Sequence, residues 1–243
     1  MKLDLFLFKK SFWVFIVFFV LVIWAFSPGY FTPVWNRQVV EPLYHTHGIA
    51  MTLWVLMLIT QAYLIRINKR SWHSMLGKFS YLLMPFMLFA TLQLVHHIMK
   101  DNNQWSNIQL FNLALMVNAS VVLAILYGLA IYHRKKPLLH ARYMVCTIFP
   151  LFTPVTDRLI HRHFRELIAW MPTIDGIPIV PTFGFVLADL ILLIFIIWDW
   201  RVHQRKDAFL ISFILLLCYH ISAMTFYHFA WWRAFGEWFV GIG

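Results

Sequence analysis

The sequence predicts an all-α integral membrane protein, a single domain (1–243) built as a bundle of seven transmembrane helices. Of its 243 residues 61% are hydrophobic and 12% are charged, whereas a soluble domain carries about 25% charged residues. A helix that crosses the hydrocarbon core needs about 20 mostly apolar residues, and the chain contains seven such runs separated by short polar loops. These runs should be helices because backbone groups in lipid must be hydrogen-bonded within their own segment.

The predicted spans follow one another with short connections. We place them at residues 11–28, 46–66, 75–98, 109–132, 143–160, 181–200 and 208–231. The first has basic flanks and a long apolar core without a small-x-small cleavage site, which is typical of a retained span rather than a signal peptide. In the fifth, Pro150 and Pro154 should kink the helix or end it early. Cys146 and Cys218 fall within apolar runs, where a thiol is a small packing residue rather than half of a disulfide.

The twenty Lys and Arg residues predict the orientation of the bundle. Fourteen fall at the N-terminus and in the second, fourth and sixth loops: Lys2, Lys9, Lys10, Arg66, Lys69, Arg70, Lys78, Arg134, Lys135, Lys136, Arg142, Arg201, Arg205 and Lys206. Six fall on the other side: Arg37, Lys100, Arg158, Arg162, Arg165 and Arg233. The positive-inside rule then places the N-terminus in the cytoplasm and the C-terminus outside the plasma membrane. The net charge of +10 is therefore explained by the membrane, and no nucleic-acid partner is expected.

The twelve histidines sort into layers on this topology. The outer layer holds His45, His47, His96, His97, His161, His163 and His228, and the inner layer holds His73, His133, His140 and His203. Imidazole is a common ligand of zinc, copper, iron and nickel. The outer layer therefore predicts a metal site formed by His45, His47, His97, Asp157 and His161. Both histidines of the His45-x-His47 pair can bind one ion only if His45 precedes the helix, because residues i and i+2 point about 200° apart on a helix. The alternative is that these histidines are interfacial residues among lipid headgroups.

The loops after the second and fourth spans have the same pattern, in which a basic cluster is followed by a histidine where a helix begins. His73 follows the first cluster and His140 follows the second. Histidines facing each other from two helices could bind a haem iron from both sides. Arg142 and Arg158 would then neutralise haem propionates or bind an anionic headgroup. The alternative is that both histidines contact lipid phosphates.

The run His47-Gly48-x-x-Met51-x-x-Trp54, followed by Trp72-His73, resembles the four-helix di-haem core of the ascorbate-dependent transmembrane cytochrome b proteins. The resemblance implies that His73 and His140 bind an inner b haem. His47 would match a ligand of the outer haem, but span four has no histidine before His133 to serve as its partner. A pattern that adds Gln61, Gly77, Arg142 and Arg158 resembles a group of uncharacterised bacterial multi-spanning membrane proteins.

Two ionisable residues fall inside predicted spans. Asp189 lies in span six and His220 in span seven. Such groups are costly in the membrane and face the bundle interior or a pathway. We expect them to pair with each other or to relay protons.

Three functions stay open on the sequence. The first is a membrane redox protein that holds haem b or a non-haem iron, copper or zinc ion and exchanges electrons with quinol or another hydrophobic substrate. The second is a zinc-dependent lipid hydrolase similar to the seven-span receptor and ceramidase superfamily, although His220 and His228 are eight residues apart where that family places two histidines four apart. The third is a transporter or a subunit of a membrane complex.

Overall fold

The computed structural model describes residues 3–101, 105–205 and 207–241. Within these ranges, seven helices are long and apolar enough to cross a membrane, at Lys10–Trp35, Pro42–Arg66, Ser80–Lys100, Asn107–Tyr132, Pro137–His163, Pro181–His203 and Ala208–His228. The protein is thus an all-α seven-helix bundle of the multi-pass membrane class, as predicted. Lys2 and Lys206, two of the basic residues behind the predicted orientation, lie outside the described residues.

The helices are α1 (Leu3–Phe26), α2 (Thr32–Trp35), α3 (Pro42–Arg66), α4 (Arg70–Gly77), α5 (Ser80–Asp101), α6 (Asn107–Tyr132), α7 (Pro137–Cys146), α8 (Phe152–His163), α9 (Pro181–His203), α10 (Ala208–Thr225) and α11 (Ala230–Gly241). A π-helical segment, Ser27–Phe31, joins α1 to α2. Short 3-10 turns lie at Phe149–Leu151, Arg165–Trp170 and Phe226–His228. Between α8 and α9, β1 (Thr173–Ile174) and β2 (Ile177–Pro178) form an antiparallel hairpin.

The fifth span is broken where the prolines predicted a kink. Pro150 lies in the 3-10 turn between α7 and α8, because proline cannot donate the backbone hydrogen bond that a continuous helix needs. The third span starts later than residue 75, since α4 is a separate helix that ends at Gly77. The seventh span does not run to residue 231, because a 3-10 turn at Phe226–His228 ends it and α11 follows.

Helix α11 is an amphipathic helix that the sequence reading missed. It packs on the starts and ends of neighbouring spans: the Trp232 indole donates to the Leu110 carbonyl at 3.0 Å, and His96 Nε2 lies 3.2 Å from the Val240 carbonyl. Trp231 and Trp238 remain exposed on the other side of the helix. Exposed tryptophans at the end of a bundle are typical of the membrane–water interface.

The two ends of the bundle differ in charge. We call the end that holds the start of α1, helix α4 and the start of α7 the lysine-rich end, and the other the opposite end. At the lysine-rich end, the Arg66 guanidinium lies 5.5 Å from the Trp13 ring, which joins the end of α3 to the start of α1. At the opposite end, Tyr30 lies against Gly48 of α3, where an added Cβ would overlap the tyrosine ring. Gly48 therefore leaves room for the Tyr30 ring of the π-helical segment to lie directly against α3.

Candidate functional site: a facing histidine pair

Helices α4 and α7 bring His73 and His140 together at the lysine-rich end. Their imidazole centres are 6.3 Å apart and the ring planes are nearly perpendicular, at 84°. Both side chains are half-buried. The two residues are 67 positions apart in sequence, so the pair exists because the loops after α3 and α6 both end in a short helix at the same end of the bundle.

His140 is oriented by the end of α6. Its Nδ1 lies 2.8 Å from the carbonyl oxygen of Ala130, and the last carbonyls of a helix have no partner within that helix. Because a carbonyl can only accept, Nδ1 carries the proton and Nε2 of the neutral ring keeps its lone pair. Donation from the second ring nitrogen to a carbonyl is the arrangement found in histidines that bind metals.

His73 is held by Gln61, a buried residue near the end of α3. With its amide oriented as its neighbours require, the NH₂ group donates to the His73 carbonyl at 3.0 Å and to His73 Nδ1, and the amide oxygen accepts from the Gly77 N–H at 3.1 Å. The Gln61 backbone carbonyl lies farther from Nδ1, at 3.4 Å. The closer amide contact puts the proton of neutral His73 on Nε2, and Gln61 fastens α4 to the bundle.

The surroundings favour neutral His73. Burial lowers the pKa of its imidazole below the ordinary value of 6.5, and positive charge on His140 lowers it further, while the hydrogen bond to the Gln61 carbonyl opposes the shift. A neutral ring can act as a ligand, whereas a protonated one cannot. Ligation through Nε2 of His73 would move its proton to Nδ1, where the Gln61 backbone carbonyl is the available acceptor.

Arg142, predicted to bind the cofactor, lies two residues after His140 on α7 and points to α9. Its guanidinium is fully buried and donates to both carboxylate oxygens of Asp199, with Nη2 2.8 Å from Oδ1 and Nε 3.1 Å from Oδ2. Asp199 is 2% exposed. The sequence reading did not single out Asp199, although an acidic residue inside an apolar run is a signal that could have found it.

Arg158, the other arginine of the predicted cofactor set, lies at the opposite end. Its guanidinium is 4.4 Å from the centre of the Phe26 ring, and its Nη1 donates to the Pro154 carbonyl at 3.0 Å. The structure therefore brings two of the four predicted cofactor residues together and separates Arg158 from them by the length of the bundle.

The five residues of the predicted metal site lie in four separate contacts. His45 and His47 both belong to α3, which begins at Pro42, so their side chains point in different directions. His45 Nδ1 lies 3.2 Å from the Tyr30 hydroxyl. His47 Nδ1 lies 3.2 Å from the hydroxyl oxygen of Thr91.

The other three residues lie in two histidine–carboxylate pairs. His97 Nε2 lies 2.9 Å from a carboxylate oxygen of Glu41, and His161 lies 3.4 Å from the carboxylate of Asp157 within α8. No three histidine, cysteine, aspartate or glutamate side chains lie together as metal ligands in residues 3–101, 105–205 and 207–241. The structure does not assemble the five-residue site.

Asp189 and His220 meet between α9 and α10. His220 Nδ1 lies 3.0 Å from Asp189 Oδ2, and the Phe185 ring stacks on the imidazole with centres 4.1 Å apart. The second carboxylate oxygen, Oδ1, is buried without a hydrogen-bond partner. The pair satisfies one oxygen of an acid that would otherwise be costly in the membrane.

Comparison with known proteins adds no relative: no family model, no curated protein and no solved structure matches the chain.

Proposed function

We propose that the protein is a membrane redox protein in which His73 and His140 ligate the iron of one b-type haem. The observation that supports this is the distance between the two rings. A metal about 2 Å from one nitrogen of each ring, in line with both, would separate the ring centres by about 6 Å. The observed separation is 6.3 Å.

The number of donors favours haem over a bare ion. A structural zinc site takes four protein ligands and a catalytic one takes three, whereas the facing pair offers two imidazoles. His73 and His140 would be the two protein ligands of a haem iron, whose remaining ligands the porphyrin supplies. When bound, the haem would supply one-electron transfer.

The residues around the pair determine how readily each histidine could ligate the haem iron. The Ala130 carbonyl fixes the ring of His140 with Nε2 free, so His140 fits the site as it stands. His73 fits once its proton moves from Nε2 to Nδ1, which turns the Gln61 amide away from that nitrogen. His73 should therefore be the more weakly held ligand. A hydrophobic reductant such as quinol would reach this end of the bundle through the lipid.

The charge distribution supports a cytoplasmic position for this site. The loops next to α4 and α7 carry Lys69, Lys78, Lys135 and Lys136, and the positive-inside rule favours a cytoplasmic position for such loops. The haem proposed here would then lie in the inner half of the membrane.

Visible absorption spectroscopy tests the proposal directly. The protein purified in mild detergent from haem-replete cells should show a Soret band that shifts on reduction with dithionite. His140→Ala should abolish the band, and His73→Ala should abolish it or convert the spectrum to a five-coordinate form. His133→Ala is the matched control, because His133 lies at the same end but stacks on Tyr143 with ring centres 5.7 Å apart.

A colourless protein that also fails to take up added haemin would overturn the proposal. An unchanged spectrum in both His73→Ala and His140→Ala would do the same, provided that both variants elute as the wild type does.

A further inference from the structure

An apolar cavity lies in the seam between α1 and α8, closed on one side by α9. Its volume is about 300 Å³, and its walls include Phe18 and Leu21 of α1, Val155 and Leu159 of α8, and Leu187 of α9. A cavity with aliphatic and aromatic walls inside a membrane domain suits a hydrocarbon chain. This volume is at the lower end of the range for ligand sites.

Two arginines lie at the end of the same seam. Arg158 and Arg162 are one turn apart on α8, so their side chains are neighbours. Arg162 donates to the carbonyl of Ala25 in α1, and the Arg158 guanidinium lies over the ring of Phe26. Ala25 continues the α1 stripe formed by Phe18 and Leu21, at helical spacing. The cavity and the arginines therefore belong to one continuous groove.

The positive charge at this point is only partly balanced, by the Asp157 carboxylate next to Arg158. Neither Arg158 nor Arg162 forms a salt bridge with a carboxylate in the described part of the chain, and the nearby Asp157 carboxylate lies 3.4 Å from His161. Arg158 is exposed on the surface of the bundle, so an external anion can reach it.

The depth of the arginines matches the headgroup region. Arg158 is five residues before His163, the end of α8, which corresponds to about 8 Å along the helix axis. Exposed Trp24 and Phe164 lie at the end of α8, with ring centres 6.3 Å apart. An anion held there would have its attached chain directed into the apolar cavity.

From the arginine pair and the adjoining cavity, we propose that the α1–α8 seam binds one anionic phospholipid. Its phosphate contacts Arg158 and Arg162, and one acyl chain occupies the cavity between Phe18, Val155 and Leu187. The site lies at the opposite end from His73 and His140 and does not depend on the proposed haem. Guanidinium groups suit it because they bind phosphate through two parallel hydrogen bonds.

Native mass spectrometry of the full chain, titrated with phosphatidylglycerol, measures this binding. The wild type should bind one phosphatidylglycerol per chain in preference to phosphatidylcholine. Arg158→Gln and Arg162→Gln should each weaken binding about tenfold, whereas Arg158→Lys should keep part of it. Arg165→Gln is the matched control, since Arg165 is exposed at the same end and donates to the His161 carbonyl.

Two further experiments distinguish binding of the phospholipid headgroup from binding of its acyl chain. Leu187→Trp, which fills the cavity, should weaken phospholipid binding without changing any effect of inorganic phosphate on thermal stability. Equal binding of phosphatidylcholine, or equal affinity in wild type and the Arg158→Gln/Arg162→Gln double variant, would overturn the proposal. So would stabilisation by inorganic phosphate as strong as that by phosphatidylglycerol, because the site would then bind a free anion.

Discussion

Replacing Asp199 by leucine should destabilise the bundle strongly, because it removes the carboxylate that neutralises the buried Arg142 guanidinium. Arg142 is fully buried and Asp199 is 2% exposed, and two hydrogen bonds of 2.8 and 3.1 Å join them. Removing one partner of a buried ion pair costs about 3–5 kcal/mol. In a domain of this length each kcal/mol lowers the melting temperature by about 2–4 °C, so the expected fall is roughly 6–20 °C.

The reverse test is the double variant Arg142→Met/Asp199→Leu. Replacing a buried pair by apolar residues of similar volume is often neutral, so the double variant should recover most of the lost stability. The assay is thermal unfolding in detergent, followed by size-exclusion chromatography with fluorescence detection. Arg134→Gln, an exposed change at the same end, is the control and should leave the melting temperature unchanged.

Two results would refute this reasoning. An Asp199→Leu variant as stable as the wild type would show that the buried guanidinium tolerates the loss of its carboxylate. A double variant no more stable than Asp199→Leu would show that the destabilisation comes from packing rather than from loss of the carboxylate that neutralises Arg142. Activity plays no part in either measurement.

Two further predictions concern the contacts that hold the ends of the bundle. Burial and positive charge on His140 lower the pKa of His73 below 6.5, so the folded state binds fewer protons than the unfolded state just below that pH. In the haem-free protein, the stability that neutral His73 contributes should be full above pH 6.5 and should fall as the pH drops toward the folded-state pKa. His73→Asn should flatten this part of a melting-temperature profile of the haem-free protein, and an unchanged slope would contradict the assignment. Gly48→Ala should cost about 1–3 kcal/mol, because its Cβ overlaps the Tyr30 ring, and adding Tyr30→Ala should restore part of that loss in the same thermal assay. A Gly48→Ala variant with wild-type stability would show that Tyr30 moves aside without cost.

The sequence predicts best the properties that depend on consecutive residues. The seven spans and the break at Pro150 follow from runs of apolar residues and from the chemistry of proline. The predicted start of the third span was wrong, because α4 is separate from α5. Gln61 of α3 binds the backbone of His73 and Gly77, and no local sequence pattern shows that contact.

The candidate sites show the same division. Sorting the histidines by layer correctly predicts that His73 and His140 lie at one end and His47 and His161 at the other. It does not predict partners, because the direction of a side chain depends on how its helix is rotated in the bundle. Because α3 begins at Pro42, His45 points toward Tyr30, whereas His47 points toward Thr91.

The amino-acid sequence by itself determined that this protein is a multi-pass helical bundle, since the cost of placing polar groups in lipid acts on each segment separately. It also determined which ionisable residues each helix carries and near which end. Only the tertiary structure decided which of them meet: Arg142 with Asp199, Asp189 with His220, and His73 with His140. The physical reason is that pairing requires two side chains to come within a few ångströms, and helix packing controls that distance.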